Sequence, residues 1–443
     1  MRTSAIARMG IMGVLLVALL VPLSMVQSVV SERASRRGSV VDEVSATWGG
    51  RQTVAGPVLA VPYRYSWIDG AGKPQSSMAQ AFFLPDVLDI KGTMEPQLLE
   101  RGLFEVVVYK AHLTIMGRFV RPDFSGIKPA PAQPLWEDAT VSFGVADPRG
   151  ITKRVAFKWN GGDVAVVPGG EAAGLFASGL HAAVGGLSAL AETASIPFAF
   201  DLDVNGSREL KVLPAGNETT VQLISTWPHP SFIGAPLPLS REASRAGFSG
   251  RWNVPYFGRG YPPRWTSVGL DPVQMRSRAD ASAVGVSLLQ PIDIYQQAER
   301  AVKYAALFIV MTFVVFFLWE IVRSRLLHPI QYLFVGFAMY VFYLLLVSIS
   351  EHIGFDFAYA SAAGATTLLI AAYSVYVLGG LAEGGLMGLG LVALYGFLYL
   401  LLRLEDYALL GGSVGLFVML ALTMYATRRV NWYELRLGGA PTR

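Results

Sequence analysis

The chain contains no cysteine. That excludes structural disulfides, thiolate catalysis and cysteine-bound metal. It does not fix the compartment, because a large domain is stable without disulfides. Charge is also scarce: 15% of the 443 residues are Asp, Glu, Lys or Arg, against 53% hydrophobic. Such a ratio fits an integral membrane protein better than a soluble one. The formal net charge of +4 is small for this length. No basic block or RNA-binding signature accompanies it, so nucleic acid is not an expected partner. No nucleophile elbow, His-Glu-x-x-His pair or phosphate loop is expected to operate here. No catalytic residue, cofactor or metal is therefore assigned, and a non-enzymatic role is favoured over an enzymatic one.

What is present is long apolar sequence. Five runs fill the last third, near Val302–Val322, Pro329–Ser348, Phe357–Leu378, Gly385–Leu402 and Ala408–Ala426. Each approaches the ~20 residues with which a helix crosses ~30 Å of hydrocarbon. Backbone groups in lipid must be satisfied within the segment, so helices are expected. No Asp, Glu, Lys, Arg or His lies near the middle of any run. Proton relays and ion paths place such groups there, so a proton-coupled transporter is disfavoured and a neutral-substrate path stays open. Small residues recur four apart at Ala360 and Gly364, Gly384 and Gly388, and Gly411 and Gly415. Such spacing lets helices approach closely, although Gly and Ala are also simply common in membrane helices. Tyr340, Tyr343, Tyr373, Tyr376, Tyr395, Tyr399 and Tyr425 mostly sit near run ends, and an interfacial belt accounts for most of them.

Arg2 and Arg8 precede a further run, Met9–Val30. It is long for a signal peptide and no small-x-small site follows promptly, so a retained anchor is expected. Arg323, Arg325 and His328 separate the first two later runs, and Arg428, Arg429 and Arg436 follow the last. The positive-inside bias puts these in the cytoplasm. Glu351 and Asp356, and Glu405 and Asp406, occupy the alternate turns. Arg403, Arg300 and Lys303 are exceptions, and the Gly379–Gly384 turn carries no positive charge. Six spans result, with both termini cytoplasmic.

Between anchor and block lies a long extracytoplasmic region. Its charged start, Ser31–Val44, suits a helix extending from the anchor. Next come short runs rich in Val, Phe and Tyr: Val54–Tyr63, Ala81–Leu84, Leu103–Thr114, Val141–Val145, Val155–Trp159, Phe198–Val204 and Thr219–Ile224. Gly and Pro separate them, which points to a mainly antiparallel, sandwich-like β domain. A helix is expected around Gly174–Ala191. Leu88–Thr93 resembles Leu202–Ser207, so two related modules, about residues 45–125 and 135–290, are one reading; chance likeness is the other. The expected organisation is an anchor over residues 1–30, a periplasmic β-rich domain over 31–298, a five-helix block over 299–427 and a cytoplasmic tail over 428–443.

One set of motifs points to a family. It comprises Gly56-Pro57-Val58-Leu59-Ala60-Val61-Pro62-Tyr63, Arg101-Gly102 with Val108-Tyr109, and Asn205-Gly206-Ser207. Trp227-Pro228-His229-Pro230-Ser231-Phe232 and Phe257-Gly258-Arg259-Gly260-Tyr261-Pro262 follow, then Gln290-Pro291 with Ala298-Glu299-Arg300-Ala301-Val302-Lys303-Tyr304. His328-Pro329-Ile330-Gln331-Tyr332, Ser350-Glu351-His352-Ile353-Gly354-Phe355, Tyr395-Gly396-Phe397 and Leu404-Glu405-Asp406-Tyr407-Ala408 complete it. From about Gly56 to Tyr433 the sequence resembles the CreD family of Gram-negative inner-membrane proteins. The resemblance implies a role in cell envelope integrity and expression tied to a carbon-responsive two-component system. It carries over no catalytic residue. The turn at Gly379–Gly384 departs from the family in lacking basic residues.

Several residues are candidates for interaction or structure. His229 is flanked by prolines that fix its backbone, and reads either as an imidazole at a binding surface or as part of a structural turn. Arg259 sits in an aromatic, Gly-rich loop that either binds a partner or packs on the membrane block. Glu351, His352, Asp356, Arg403, Glu405 and Asp406 should gather at the outer helix ends. One His among flexible acids makes a poor metal site, and Arg403 is expected to pair with an acid and staple the block to the outer region. Glu320 and Arg323 suggest a local helix pair, and His328-Pro329 a helix start. The lipid bilayer is the expected partner, with an envelope protein or lipid on the outer domain. A transporter or channel component, or a membrane-embedded envelope enzyme, is the alternative.

Overall fold

The computed structural model describes residues 5–169, 172, 174–191, 194–290, 294–323, 327–404 and 407–428. The chain divides into two units, Met1–Gly38 with Ile292–Arg443, and Ser39–Pro291. Seven α-helices appear among the described residues: α1 (Ala5–Trp48), α2 (Pro272–Ser282), α3 (Ile294–Arg323), α4 (Pro329–Ile353), α5 (Phe355–Leu378), α6 (Leu381–Arg403) and α7 (Ala408–Thr427). Helices α1, α3, α4, α5 and α6 are each long and apolar enough to cross a membrane, and α7 contains a shorter apolar stretch, Leu409–Tyr425.

Helix α1 continues past the anchor through the charged stretch to Trp48. Leu19, Leu23, Val26 and Val30 are its buried residues in the bundle core, and their spacing of three and four makes one helical stripe. Leu19 rests against Gly336 of α4, where a Cβ would collide with it. Helix α4 starts as the sequence suggests. His328 is its N-cap and Pro329 follows at the first helical position. The His328 side chain accepts from the Ile330 N–H at 3.3 Å, and Gln331 reaches back to the His328 N–H at 2.8 Å. Gly384 and Gly388 admit Val375 and Ala371 of α5, and Gly411 and Gly415 meet Leu401 and Phe397 of α6. Gly364 touches nothing within 4 Å, so that third pair reflects composition alone. The belt reading also needs a correction, because Tyr343 and Tyr395 are buried in the bundle core. Tyrosine hydroxyls instead join helices: Tyr359 on α5 donates to the Tyr395 carbonyl on α6 at 2.6 Å.

The second unit holds two sheets. Among the described residues, one has ten strands, with main path Pro230–Ile233, Val284–Leu288, Glu209–Val212, Gln52–Ile68, Thr140–Val145, Gly179–Ala183 and Val167–Pro168. The other has eight, in the order Ser240–Ser244, Gly247–Pro255, Glu218–Ser225, Val87–Arg101, Phe104–Val120, Ser195–Ser207, Ala156–Trp159 and Gly162–Asp163. Pairing is antiparallel except for Gln52–Val54 beside Leu210–Val212 and Val87–Met94 beside Glu218–Ser225. Ile196, Phe198, Phe200, Leu202 and Val204 alternate inward along one strand, as a half-buried strand requires. Phe200 stacks on Phe143 of the other sheet, with centroids 3.9 Å apart and planes at 8°. One hydrophobic cluster fills the unit. Strands from residues 45–125 and 135–290 are interleaved in both sheets rather than set in series. Leu88–Thr93 and Leu202–Ser207 flank the same strand, Phe104–Val120.

The helix expected at Gly174–Ala191 is absent from the described residues there, which instead form the strand Gly179–Ala183 and a 3-10 turn at Leu187–Ala189. Gly174, Gly179 and Gly186 take φ of 80°, 158° and 78°, which no right-handed helix accommodates. Helix α2 has a start signal in Asp271-Pro272: the Asp271 carboxylate accepts the N–H groups of Val273 and Gln274.

A buried amide ties the start of this unit together. Gln52 is fully buried. Its Nε2 reaches the carbonyls of Gly49 at 2.7 Å, Asp147 at 3.0 Å and Asn205 at 3.0 Å, while Oε1 accepts the Asp147 N–H at 3.2 Å. Replacing Gln52 with Leu keeps the volume but strands these groups, and a loss of about 3 kcal/mol is expected. Thermal unfolding of the full chain, followed by proteolysis of residues 39–291, measures it. An unchanged midpoint would remove Gln52 from the account.

Candidate functional site

The candidate loop Phe257–Pro262 lies beside an open cleft of about 500 Å³, whose lining includes Asp86, Arg118, Asn217, Glu218, Tyr256 and Phe257. These residues sit at strand ends and are locked by backbone hydrogen bonds. Asp86 N–H donates to Arg118 O at 2.9 Å, Glu218 N–H to Asp86 O at 3.0 Å and Tyr256 N–H to Asn217 O at 2.8 Å. The Arg118 guanidinium lies 3.3 Å from the Asp86 carboxylate. Both groups are a third or more exposed, so the pair contributes at most about 1 kcal/mol and remains open to a competing ligand. Tyr256 and Phe257 form a small aromatic platform, with ring centroids 3.9 Å apart. Phe257 is 82% exposed.

Arg259 is not part of that exposed surface. It is 5% exposed and supports the cleft from beneath. Its Nη1 donates to the carbonyls of Ala215 at 2.7 Å and Gly216 at 2.6 Å, and its Nη2 to Asn217 Oδ1 at 3.4 Å. Tyr261 continues the brace by donating to the Pro214 carbonyl at 2.8 Å, and Arg259 lies over its ring at 5.2 Å. Burial lowers the guanidinium's proton affinity and raises the Tyr261 phenol well above its usual range. The aromatic and Gly character of the segment signalled a loop. That Arg259 points inward has no signal in the sequence, because its partners are backbone carbonyls more than forty residues away.

His229 is exposed. Its carbonyl accepts the Leu289 N–H at 3.1 Å, and the neighbouring Trp227 indole donates to the Leu289 carbonyl at 2.9 Å. The backbone of this segment thus serves as a structural turn leading into Pro230–Ile233.

In the helical unit, the expected gathering is partly described. Glu351 at the end of α4 accepts from Tyr295 of α3 at 3.0 Å, and Arg33 of α1 lies 3.8 Å away. Arg403 pairs with Asp356 at 2.5 Å and donates to Tyr399 at 2.8 Å, clasping α6 to α5. These described partners all belong to the helical unit. His352 is exposed, and Glu405 and Asp406 lie outside the described residues. Among the described residues no three His, Asp or Glu converge on a metal position. Glu320 is 2% exposed and accepts from Tyr332 of α4 at 2.8 Å; the Arg323 side chain lies outside the described residues. A Gly-x-Ser-x-Gly spacing does occur, at Gly411-Gly412-Ser413-Val414-Gly415. It falls within α7 rather than on a strand-to-helix turn, and the Ser413 hydroxyl is bonded to the Leu409 carbonyl at 2.8 Å. It is therefore no nucleophile elbow.

The sequence matches the family model described as inner membrane protein CreD over residues 4–433. Inner membrane protein CreD of Escherichia coli (strain K12) is 33% identical over 423 residues, covering 95% of this chain and 92% of that protein. Among solved structures, a mutant M1 zinc metallopeptidase from Deinococcus radiodurans, bound to a Tyr-Ser-Ala substrate, aligns with 82% of this chain and 95% of its own. Its sequence identity is 11% and its TM-score 0.18. A score at that level carries no likeness of fold.

Arg259 gives this site its test. Arg259→Met keeps the apolar stem, removes the side-chain donor of the Ala215 carbonyl and leaves the Gly216 carbonyl with only the Thr219 hydroxyl at 3.4 Å, which should cost about 2 kcal/mol. Arg259→Lys should recover only part, since one ammonium lacks the guanidinium fork. Hydrogen exchange over residues 213–218 should rise in both variants. Unchanged exchange would show that the brace does not hold the cleft.

Proposed function

The chain belongs to the CreD family of inner-membrane proteins, and from that premise we propose that it supports cell envelope integrity without catalysing a reaction. Residues 39–291 face the periplasm and bind an envelope component, while α1 and α3–α7 form a six-span platform with both termini in the cytoplasm. The observation that carries this reading is the bundle interior. Among the described residues apolar and aromatic side chains dominate it, a few neutral polar ones such as Thr312, Thr366 and Ser374 are buried among them, and Glu320 is its one buried charged residue. An interior so poor in charge suits a platform better than an ion path. The packed stripe of α1 fits an anchor that is retained. The charge pattern of the turns supports the orientation.

A second reading, passage of a neutral solute, is favoured by one observation. Among the described residues, the Tyr343 and Ser374 hydroxyls are buried in the bundle without a hydrogen-bond partner. On that reading, Tyr343→Phe would abolish function while leaving assembly intact.

Two experiments test the proposal. Because the chain has no cysteine, single-cysteine variants report topology directly. Ala71→Cys should react with an impermeant maleimide from the periplasm, and Leu381→Cys only after the inner membrane is opened; the reverse pattern overturns the orientation. In a deletion strain, leakage and detergent sensitivity should be rescued by the full chain, and also by residues 39–291 held by α1 alone. Rescue that requires α3–α7 moves the function into the helices. A deletion strain with no leakage removes the envelope role.

A further inference from the structure

The cleft beside Phe257 has a chemical character that narrows its ligand. Asp86 and Glu218 supply two carboxylates, Arg118 one guanidinium and Asn217 one amide; Asp86 is shared between Arg118 at 3.3 Å and the Asn217 amide at 3.5 Å, long contacts that a ligand hydroxyl can replace. An anion would meet the two carboxylates. A simple cation would meet Arg118, with Arg259 behind Asn217 at 3.4 Å. An extended peptide seeking to add a strand would find main-chain groups of Asp86, Glu218 and Tyr256 already spent on neighbours. What remains is a neutral ligand that can use many planar donors and acceptors at once. It must also cover an aromatic platform, since Phe257 is left 82% exposed at the rim. Exposed apolar side chains are common on this unit, as at Ile68 and Val273; Phe257 differs in stacking on Tyr256 at the edge of a cleft where polar groups converge.

A pyranose ring has this pairing of surfaces. One face presents C–H groups, which sit on the electron-rich face of an aromatic ring. Its rim presents hydroxyls, which carboxylate, amide and guanidinium groups bind in pairs. The cleft is open rather than enclosed, and its volume of about 500 Å³ leaves room for a chain of sugars to run through. Rigid strand ends and the Arg259 brace hold the polar groups in place before any ligand arrives, which reduces the ordering cost of binding. We propose that this cleft binds a neutral saccharide segment of an envelope polysaccharide, with Tyr256 and Phe257 as the stacking platform and Asp86, Asn217 and Glu218 as the hydroxyl-binding groups.

The inference rests on the reading that residues 39–291 bind an envelope component. The test uses the full chain in nanodiscs, because sugar-headed detergents would compete. Calorimetric titration with β-1,4-linked N-acetylglucosamine oligomers, cello-oligosaccharides and malto-oligosaccharides should show saturable binding of at least one series. Phe257→Ala should weaken it at least about tenfold with the unfolding temperature unchanged, because Phe257 is already exposed. Asp86→Ala should weaken it similarly. No saturable binding of any series, or equal affinity in Phe257→Ala, overturns the inference. So does a discrete protein adduct formed in cells by benzoylphenylalanine placed at position 257, which would make the cleft a protein-docking surface. Absence of sugar binding overturns the inference whatever maleimide labelling and rescue show. Failed labelling or rescue with sugar bound overturns only the function proposed above.

Discussion

A buried carbonyl or carboxylate needs a donor, and much of this structure is arranged around supplying one. In the β unit, side chains donate to main-chain carbonyls of loops and of one strand end. Gln52 does so for Gly49, Asp147 and Asn205, and Arg259 for Ala215 and Gly216. Tyr109 donates across the two sheets to the Glu209 carbonyl at 2.7 Å. The helical unit meets the same need with phenols: Tyr295 to Glu351, Tyr332 to Glu320 and Tyr359 to the Tyr395 carbonyl. Each link is also a register mark. In an apolar interior with little else directional, such a bond specifies which turn of one helix faces which turn of the next.

The parts of this architecture that sequence makes legible are those governed by local rules. Apolar runs of membrane length, the His328-Pro329 start of α4 and the alternation along Ser195–Ser207 depend on neighbours within a few residues. The failures have a common physical origin. The stretch 174–191 is rich in Ala and Gly, and composition alone does not reveal that three glycines adopt positive φ. Val87–Arg101 is a long central strand whose solvent side carries Asp89, Lys91 and Glu95, so its pattern reads as polar turn chemistry although Leu88, Ile90 and Met94 are buried. Arg259 was legible as a loop residue and illegible as a brace. Tyr343 and Tyr395 match the composition of an interfacial belt, and only the packing of α4 against α5 and α6 takes them inside.

The cleft beside Phe257 depends on the same long-range pairing. Its polar groups come from four separate stretches of chain, near residues 86, 118, 217 and 256, which a sequence presents as unrelated. Sheet pairing converts them into one rigid edge. The aromatic pair at its rim is distinguished by stacking beside these polar groups, with Phe257 82% exposed. A surface that leaves Phe257 in water beside fixed carboxylates is built for contact with something both hydroxylated and flat.

The placement of α1 has a consequence for biosynthesis. The helical unit is discontinuous in the chain: its first helix emerges from the ribosome before Ser39–Pro291, and its remaining helices afterwards. The first helix therefore spends the whole synthesis of the β unit, made at roughly 5–20 residues per second, without its neighbours. In water an uncovered stripe of Leu19, Leu23, Val26 and Val30 would invite aggregation. In lipid it faces a solvent as apolar as itself, so waiting carries little penalty. The bilayer thus acts as a holding environment, and the order of translation lets the β unit complete its core before the later helices arrive to cover the buried stripe of α1.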